Sequence, residues 1–262
     1  MTPIAAPEIP APPATYTKMR WRRAVRALRE LLRDPDDTAK AIDVGFAIGL
    51  RDFERSFQRF AASAAGRALL VERPSLAGAL SDRDALARMH PDSLGRAYLE
   101  YLDRTGFRAT GLVELERAVE ARWERDDGLP APDPLRAWFR ERLTLVHDLS
   151  HIVTGYGTDD LGEATLLAFS QAQLGGRANA LLTAGATVEV FRMLGLSWLR
   201  YELRAWQRGR RAVSLVALPW EELLPLRLVT VRRLARLDAP EEAHPAGILR
   251  GRRSAAGLMQ LS

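Results

Sequence analysis

The sequence predicts an all-α fold, a single mostly helical domain, on three observations. Apolar residues recur at helical spacing along most of the chain. Capping residues stand ahead of several of these runs. Strand signals are few, with VSLVALP (213–219) the only respectable run. The elements follow in order. MRWRRAVRALRELLRDP carries Trp21, Val25, Leu28, Leu31 and Leu32 on one helical face with Arg on the other, and Pro35 is expected to stop it. Asp37 and Thr38 suit the cap of a second helix through AKAIDVGFAIGL, continued by RDFERSFQRFAAS with Phe53, Phe57 and Phe60 in register. Gly66 and Pro74 punctuate a shorter region, after which Asp92 or Ser93 opens a helix that Gly106 ends. A linker, RDDGLPAPDP, leads to Asp133–Pro134, an N-cap followed by proline in the first turn. The helix it starts runs to about Val153. Further helices begin near Leu161 and run from about Asn179 to Gly195, and PWEELLPLRLVTVRRLARL closes the ordered part.

This gives an organisation of a proline-rich disordered tail (1–16), a helical domain (17–237) and a flexible basic tail (238–262). At 262 residues, 47% hydrophobic and 27% charged, the chain can bury a sizeable core without disulfide or metal staples. The absence of cysteine removes thiolate zinc sites, iron–sulfur clusters and cysteine nucleophiles together. The formal net charge of +5 is almost all arginine, Lys18 and Lys40 being the only lysines. No recognition motif or aromatic–basic interleaving accompanies it, so no nucleic-acid partner is expected. The first fifteen residues carry five prolines and no apolar signal segment, and no stretch of eighteen apolar residues occurs. The expected place is the cytoplasm, with any membrane contact peripheral.

Chemistry concentrates in LVHDLSHIVTGYGTDDLGE. His147 and His151, four apart, project from one helix face, close enough to share an ion. Gly155 and Gly157 allow the chain to reverse; Thr158, Asp159 or Asp160 can cap the next helix, which carries Glu163 in its first turn. Two imidazoles and one or two carboxylates are a donor set for a divalent metal. Asp148 is rotated about 100° from His147 and about 60° from His151, so it serves either as a fourth ligand or as an acceptor orienting an imidazole. Along the same helix Trp138, Leu145, Leu149 and Ile152 lie on one side, and Arg140, Thr144, His147 and His151 form a polar stripe on the other. A zinc peptidase needs Glu where Asp148 stands. A di-iron bundle needs a second His-bearing helix.

His-Asp-x-x-His, eleven residues and Glu resembles the signature of the ubiquinone (coenzyme Q) biosynthesis family that sits fourth in the COQ series, with His147, Asp148, His151 and Glu163 matching position for position. RDPDDTAKA, GRALLVERPSL, HPDSLGRAYLEYL and PWEELLPLRLVTVRRL resemble further landmarks in order, so the likeness spans about residues 18 to 237. Leu167 and Ser170 depart from the eukaryotic pattern, and GYGTDDLGEATLLAFSQAQ looks like the bacterial branch. The resemblance implies an all-helical fold and a bound divalent metal, zinc first, with iron, manganese and magnesium as alternatives. It further implies a polyprenylated aromatic substrate or other isoprenoid lipid, other ubiquinone biosynthesis proteins as partners, and peripheral membrane contact; a homodimer is left open. Two roles follow. One is a metal-dependent oxidative decarboxylase acting at ring position one of a polyprenyl hydroxybenzoate, with His147, Asp148 and Arg140 catalytic. The other is a non-catalytic lipid-binding scaffold with a structural metal. In the first role Arg140 clamps the substrate carboxylate, or is simply a solvated or ion-paired helix residue, and Tyr156 donates to a ring oxygen or packs in the loop. The apolar helix LLTAGATVEVFRMLGL walls a prenyl channel or packs as core, and residues 18–33 lie on lipid or on the core.

Overall fold

Helices built on these apolar stripes make up the protein, and no strand occurs among the described residues, which in this computed structural model are 9–34 and 37–249. A 3-10 turn, Ala14–Thr17, precedes α1 (Trp21–Arg33). α2 (Thr38–Val44) passes through a π-helical segment, Gly45–Gly49, into α3 (Leu50–Ala62). Then come α4 (Ala64–Glu72), α5 (Leu76–Ser81), α6 (Arg83–Arg88), α7 (Leu94–Thr105) and α8 (Gly111–Asp127). α9 (Pro134–Thr154), α10 (Asp160–Leu174), α11 (Arg177–Leu194) and α12 (Leu196–Arg211) follow. The short helices α13 (Trp220–Leu223), α14 (Leu228–Leu234) and α15 (Pro240–Ala243) close it.

α9 is the axis of the fold. Asp133 caps it, accepting from Leu135 N at 3.1 Å and Arg136 N at 3.3 Å, with Pro134 in the first turn. Of the polar stripe expected on one face, Arg140 and His151 are buried while Thr144 and His147 are half-buried, and Arg136 and Arg142 of the same helix are buried as well. Each buried guanidinium of α9 has its own acid. Arg136 makes two 2.7 Å bonds to Glu54 and one of 2.6 Å to Asp133. Arg140 pairs with Glu120 on α8, and Arg142 with Glu221 at 2.8 Å. Buried charge survives only when paired in this way. Around α9, Leu145, Leu149 and Val153 join Tyr98, Leu166, Phe169 and Trp220 in the largest core cluster. Phe139 stacks with Phe57 and Phe60 of α3 in a second.

Several sequence expectations change. α8 and α12 appear where the chain's pattern had suggested no element. VSLVALP is not a strand: residues Leu215–Ala217 form a 3-10 turn. The reason lies in Arg142, which donates to the carbonyls of Val216 (3.1 Å) and Leu218 (2.5 Å) and so takes acceptors a ladder would need. Within the stretch read as an N-terminal tail, Tyr16 is buried; within that read as a C-terminal tail, residues 240–243 are helical and His244 is buried. Pro35, residues 1–8 and residues 250–262 lie outside the described residues.

Candidate metal centre

The site is made by the end of α9, the loop after it and the start of α10. A helix leaves its last four carbonyls without partners. Here all four are satisfied. Gly155 N donates to His151 O, Arg232 donates to Ile152 O (3.2 Å) and Val153 O (2.9 Å), and Arg208 donates to Thr154 O at 2.6 Å. Two cations at the negative end of the helix dipole also stabilise it electrostatically. Gly155 then turns the chain with φ 78°, a left-handed conformation glycine adopts without strain, and a β-carbon there would lie 2.4 Å from Pro240 Cγ. Gly157 carries no positive φ. Its carbonyl instead lies where a β-carbon on Gly162 would come to 2.0 Å, so it is Gly162 that lets α10 seat on the loop. Of the three capping candidates, Asp159 does the work, accepting from Gly162 N at 2.8 Å. Glu163 follows one turn in.

This backbone brings three donors together. His151 Nε2 lies 3.1 Å from Glu163 Oε1 and 3.3 Å from His147 Nε2, and His147 Nε2 lies 3.6 Å from Glu163 Oε2. A tetrahedral zinc ion with ligands at about 2.0–2.1 Å sets neighbouring donors roughly 3.3 Å apart, so these edges fit a divalent cation. Among the described residues, His147, His151 and Glu163 form the cluster with the make-up of a metal site. The His151 ring is fixed from behind: its Nδ1–H donates to the Tyr156 carbonyl at 3.1 Å, which leaves the Nε2 lone pair facing the other two donors. The His151 side chain is 3% exposed, whereas His147 is 34% and Glu163 42% exposed, so the cluster opens to solvent on one side.

The electrostatics suit a cation. Burial drives the His147 pKa down to about 4, Glu163 opposing and His151 adding to the fall, so its nitrogen is neutral at pH 7. Burial alone would raise Glu163; the charge and hydrogen bond of His151, then the charge of His147, outweigh it and hold the carboxylate down at about 2. His151 is likewise buried, yet the Glu163 carboxylate and the Tyr156 carbonyl raise it above its ordinary value. Without an ion, the Glu163 carboxylate therefore favours a proton on His151. A cation binding between them must displace it. Metal binding is expected to be coupled to proton release, and affinity to fall with pH as His151, its pKa raised, takes up a proton; His147 competes only near about 4. Calorimetry in buffers of different ionisation enthalpy measures this, and proton-independent binding would contradict it.

Two expected site residues stand apart. Asp148 is buried behind the His pair and accepts from the Tyr101 hydroxyl in a long 3.5 Å contact; burial raises it to about 6, with His151 opposing. The orienting acceptor is the Tyr156 carbonyl, a backbone group that no side-chain motif announces. Arg140, seven residues or about 10 Å along the helix from His147, is held by Glu120 between the rings of Phe46 and Phe53. Its charge is already engaged, so it does not reach the cluster. The Tyr156 side chain is buried too, its hydroxyl bonded to His244 at 3.0 Å rather than presented to a ligand.

Fold and site together define an all-helical protein with a three-donor His, His, Glu centre between the end of one helix and the start of the next. The chain belongs to the Coenzyme Q (ubiquinone) biosynthesis protein Coq4 family, whose match covers residues 17–241. It is similar to the mitochondrial ubiquinone biosynthesis protein COQ4 of Lachancea thermotolerans, 25% identical over 213 residues, 79% of this chain and 60% of that protein. It is also similar to the one from Yarrowia lipolytica, 28% identical over 181 residues, 68% of this chain and 63% of that protein. The chain thus spans roughly three fifths of the length of these relatives. The crystal structure of a ubiquinone biosynthesis candidate from Nostoc punctiforme shares the fold, with a TM-score of 0.59, 20% identity, and coverage of 83% of this chain and 99% of that one. The family resemblance read from the motif and the landmarks holds.

Proposed function

We propose that this protein takes part in ubiquinone biosynthesis as a metal-dependent oxidative decarboxylase acting at ring position one of a polyprenyl hydroxybenzoate. The observation that carries the reading is the number of donors. Three protein ligands leave a coordination position for substrate, as catalytic zinc sites do and structural four-ligand sites do not. His147, His151 and Glu163 would hold the ion, which when bound supplies Lewis acidity to a ring carboxylate or phenolate. The chain's own residues do the rest. Tyr156 O fixes the ring of His151, Glu163 offsets the ion's charge, and the exposed edges of His147 and Glu163 leave an approach for the substrate.

A cavity of about 240 Å³ lies further along α9, between the π-helical segment, α3, α8 and the start of α11. Phe46, Leu50, Phe53, Leu143 and Ala178 give it apolar walls, with Glu116 and Arg140 as polar groups. Leu143 and His147 are one turn apart on the same helix face. The cavity therefore suits the first part of a prenyl tail whose ring lies at the metal centre.

Peripheral membrane contact is part of the same reading. No described helix is long and apolar enough to cross a membrane. α11 and α12 nevertheless expose Val188, Phe191, Met193, Leu196, Leu199 and Leu203, with Arg192, Arg200 and Arg204 exposed among them. Exposed apolar residues rimmed by arginine suit an anionic lipid surface. Replacing Met193 and Leu196 with Glu is expected to cut binding to phosphatidylglycerol vesicles by at least about tenfold, since each side chain contributes roughly 1.5–3 kcal/mol when buried. Unchanged co-sedimentation would contradict the lipid contact; self-association through this face would show as a concentration-dependent dimer.

The scaffold alternative shares the lipid surface and differs at the metal. Product analysis in cells that depend on this protein and carry His147→Ala separates the two readings: the enzyme reading predicts loss of decarboxylated product with protein abundance intact.

A further inference from the structure

We propose that His244 is a positioning residue for the metal centre, acting through Tyr156. This rests on the reading of His147, His151 and Glu163 as metal ligands. The family match ends at residue 241, so the segment in question lies just past it.

The observations form one chain of contacts. After α12 and the short helices, the polypeptide returns to the site. Pro240 is buried against Gly155, the first residue of the loop. His244, 1% exposed, is enclosed by two tyrosines: its ring stacks on Tyr201 at 4.0 Å and 28°, and its Nε2 is hydrogen-bonded to the Tyr156 hydroxyl at 3.0 Å. The segment beyond is tied back by Leu249 N, which donates to the Tyr201 hydroxyl at 3.3 Å. Arg208 lies over the Tyr156 ring at 5.4 Å while its guanidinium donates to Thr154 O and to Asp238 O, joining the end of α9 to the returning strand of chain. At its other end the same Tyr156 offers the carbonyl that receives His151 Nδ1–H at 3.1 Å.

The consequence is mechanical. An imidazole ligand aims its donor lone pair only as well as its other nitrogen is held. The holding group here is a carbonyl on a loop of five residues, and a loop carbonyl swings unless its residue is anchored. Tyr156 is anchored at the far end of its side chain by His244, with Arg208 beside it. A residue 93 positions after His151 thus sets the direction of the His151 Nε2 lone pair without touching it.

The test uses the full chain and zinc ions, titrated in competition with a chromophoric chelator. His244→Leu is expected to weaken zinc binding by about tenfold or more, the range seen when groups behind a metal ligand are removed. Tyr156→Phe keeps the ring and its packing, deletes only the hydroxyl, and is expected to cost the same. The double variant is expected to bind no worse than either single one, because the two groups act through one bond. His244→Gln, whose amide can reach the hydroxyl, is expected to restore most of the affinity. In parallel, nitrogen-15 spectra of the histidine rings are expected to show a slowly exchanging His151 Nδ1–H, held by the Tyr156 carbonyl, in the parent and a rapidly exchanging one in His244→Leu. The NMR measurement stands without any metal. If the parent took up no zinc, the metal reading would fail, and the loss of Nδ1–H protection alone would decide the positioning role. Unchanged affinity together with unchanged His151 ring signals in His244→Leu would overturn the proposal, as would losses that simply add in the double variant.

Discussion

Arg136→Met is expected to lower the unfolding free energy by about 3–5 kcal/mol, the cost of leaving a buried charge without its partner. Arg136 is fully buried and Glu54 is 8% exposed. The two share a bidentate pair, with Asp133 completing the guanidinium's bonds at the start of α9. Removing the cation leaves the Glu54 carboxylate buried with the neutral Gln58 amide as its remaining side-chain donor. At about 2–4 °C per kcal/mol for a domain of this size, the melting temperature should fall by roughly 10 °C. A second variant separates charge from packing. Glu54→Leu combined with Arg136→Met should recover most of the loss, since an apolar pair of similar volume replaces a buried ion pair at little cost. Urea and thermal melts measure both. A single variant within about 1 kcal/mol of the parent would mean that Glu54 finds water or a proton cheaply, against its burial.

His147→Ala and Glu163→Gln are expected to have the largest effect on chemistry. Each removes one of three donors and leaves two, too few to hold a divalent ion against water. Both side chains are partly exposed, His147 at 34% and Glu163 at 42%, so their loss should leave folding nearly intact. The reading therefore predicts normal protein abundance, disappearance of the decarboxylated product and accumulation of the carboxyl-bearing precursor. If the protein were a scaffold with a structural ion, every intermediate of the assembly would decline together. Mass spectrometry of prenylated aromatics in complemented cells distinguishes these outcomes.

Sequence legibility varied with the kind of information each region carries. Asp133–Pro134, Gly106, Gly155 and the His–Glu spacing are local signals, and the structure places helix ends and the three-donor cluster where they indicate. α8 and α12 were harder. α8 buries a thin stripe, Val113, Val119 and Trp123, among charges; α12 buries Trp198, Tyr201 and Ala205 while exposing Leu199, Leu203 and Trp206 on other faces, which blurs its period. What the sequence hid at the site is non-local or backbone. The Tyr156 carbonyl has no residue signature. Arg208 and Arg232 satisfy the end of α9 from about 54 and 79 residues away, and nothing in the arginine-rich composition separates them from surface arginines. Arg140 was placed correctly on the helix face carrying the His pair, yet Glu120, on a helix the pattern did not reveal, claims its charge.

The central claim is that His147, His151 and Glu163 hold a divalent ion with a position left open. Its most direct measurement is the metal content of the purified full-length chain, by elemental analysis, with His151→Ala and Glu163→Gln beside it. The account predicts about one equivalent of divalent metal, zinc first, in the parent and almost none in either variant. A parent protein free of metal after purification and unable to take up added zinc, or variants that retain it in full, would contradict the account.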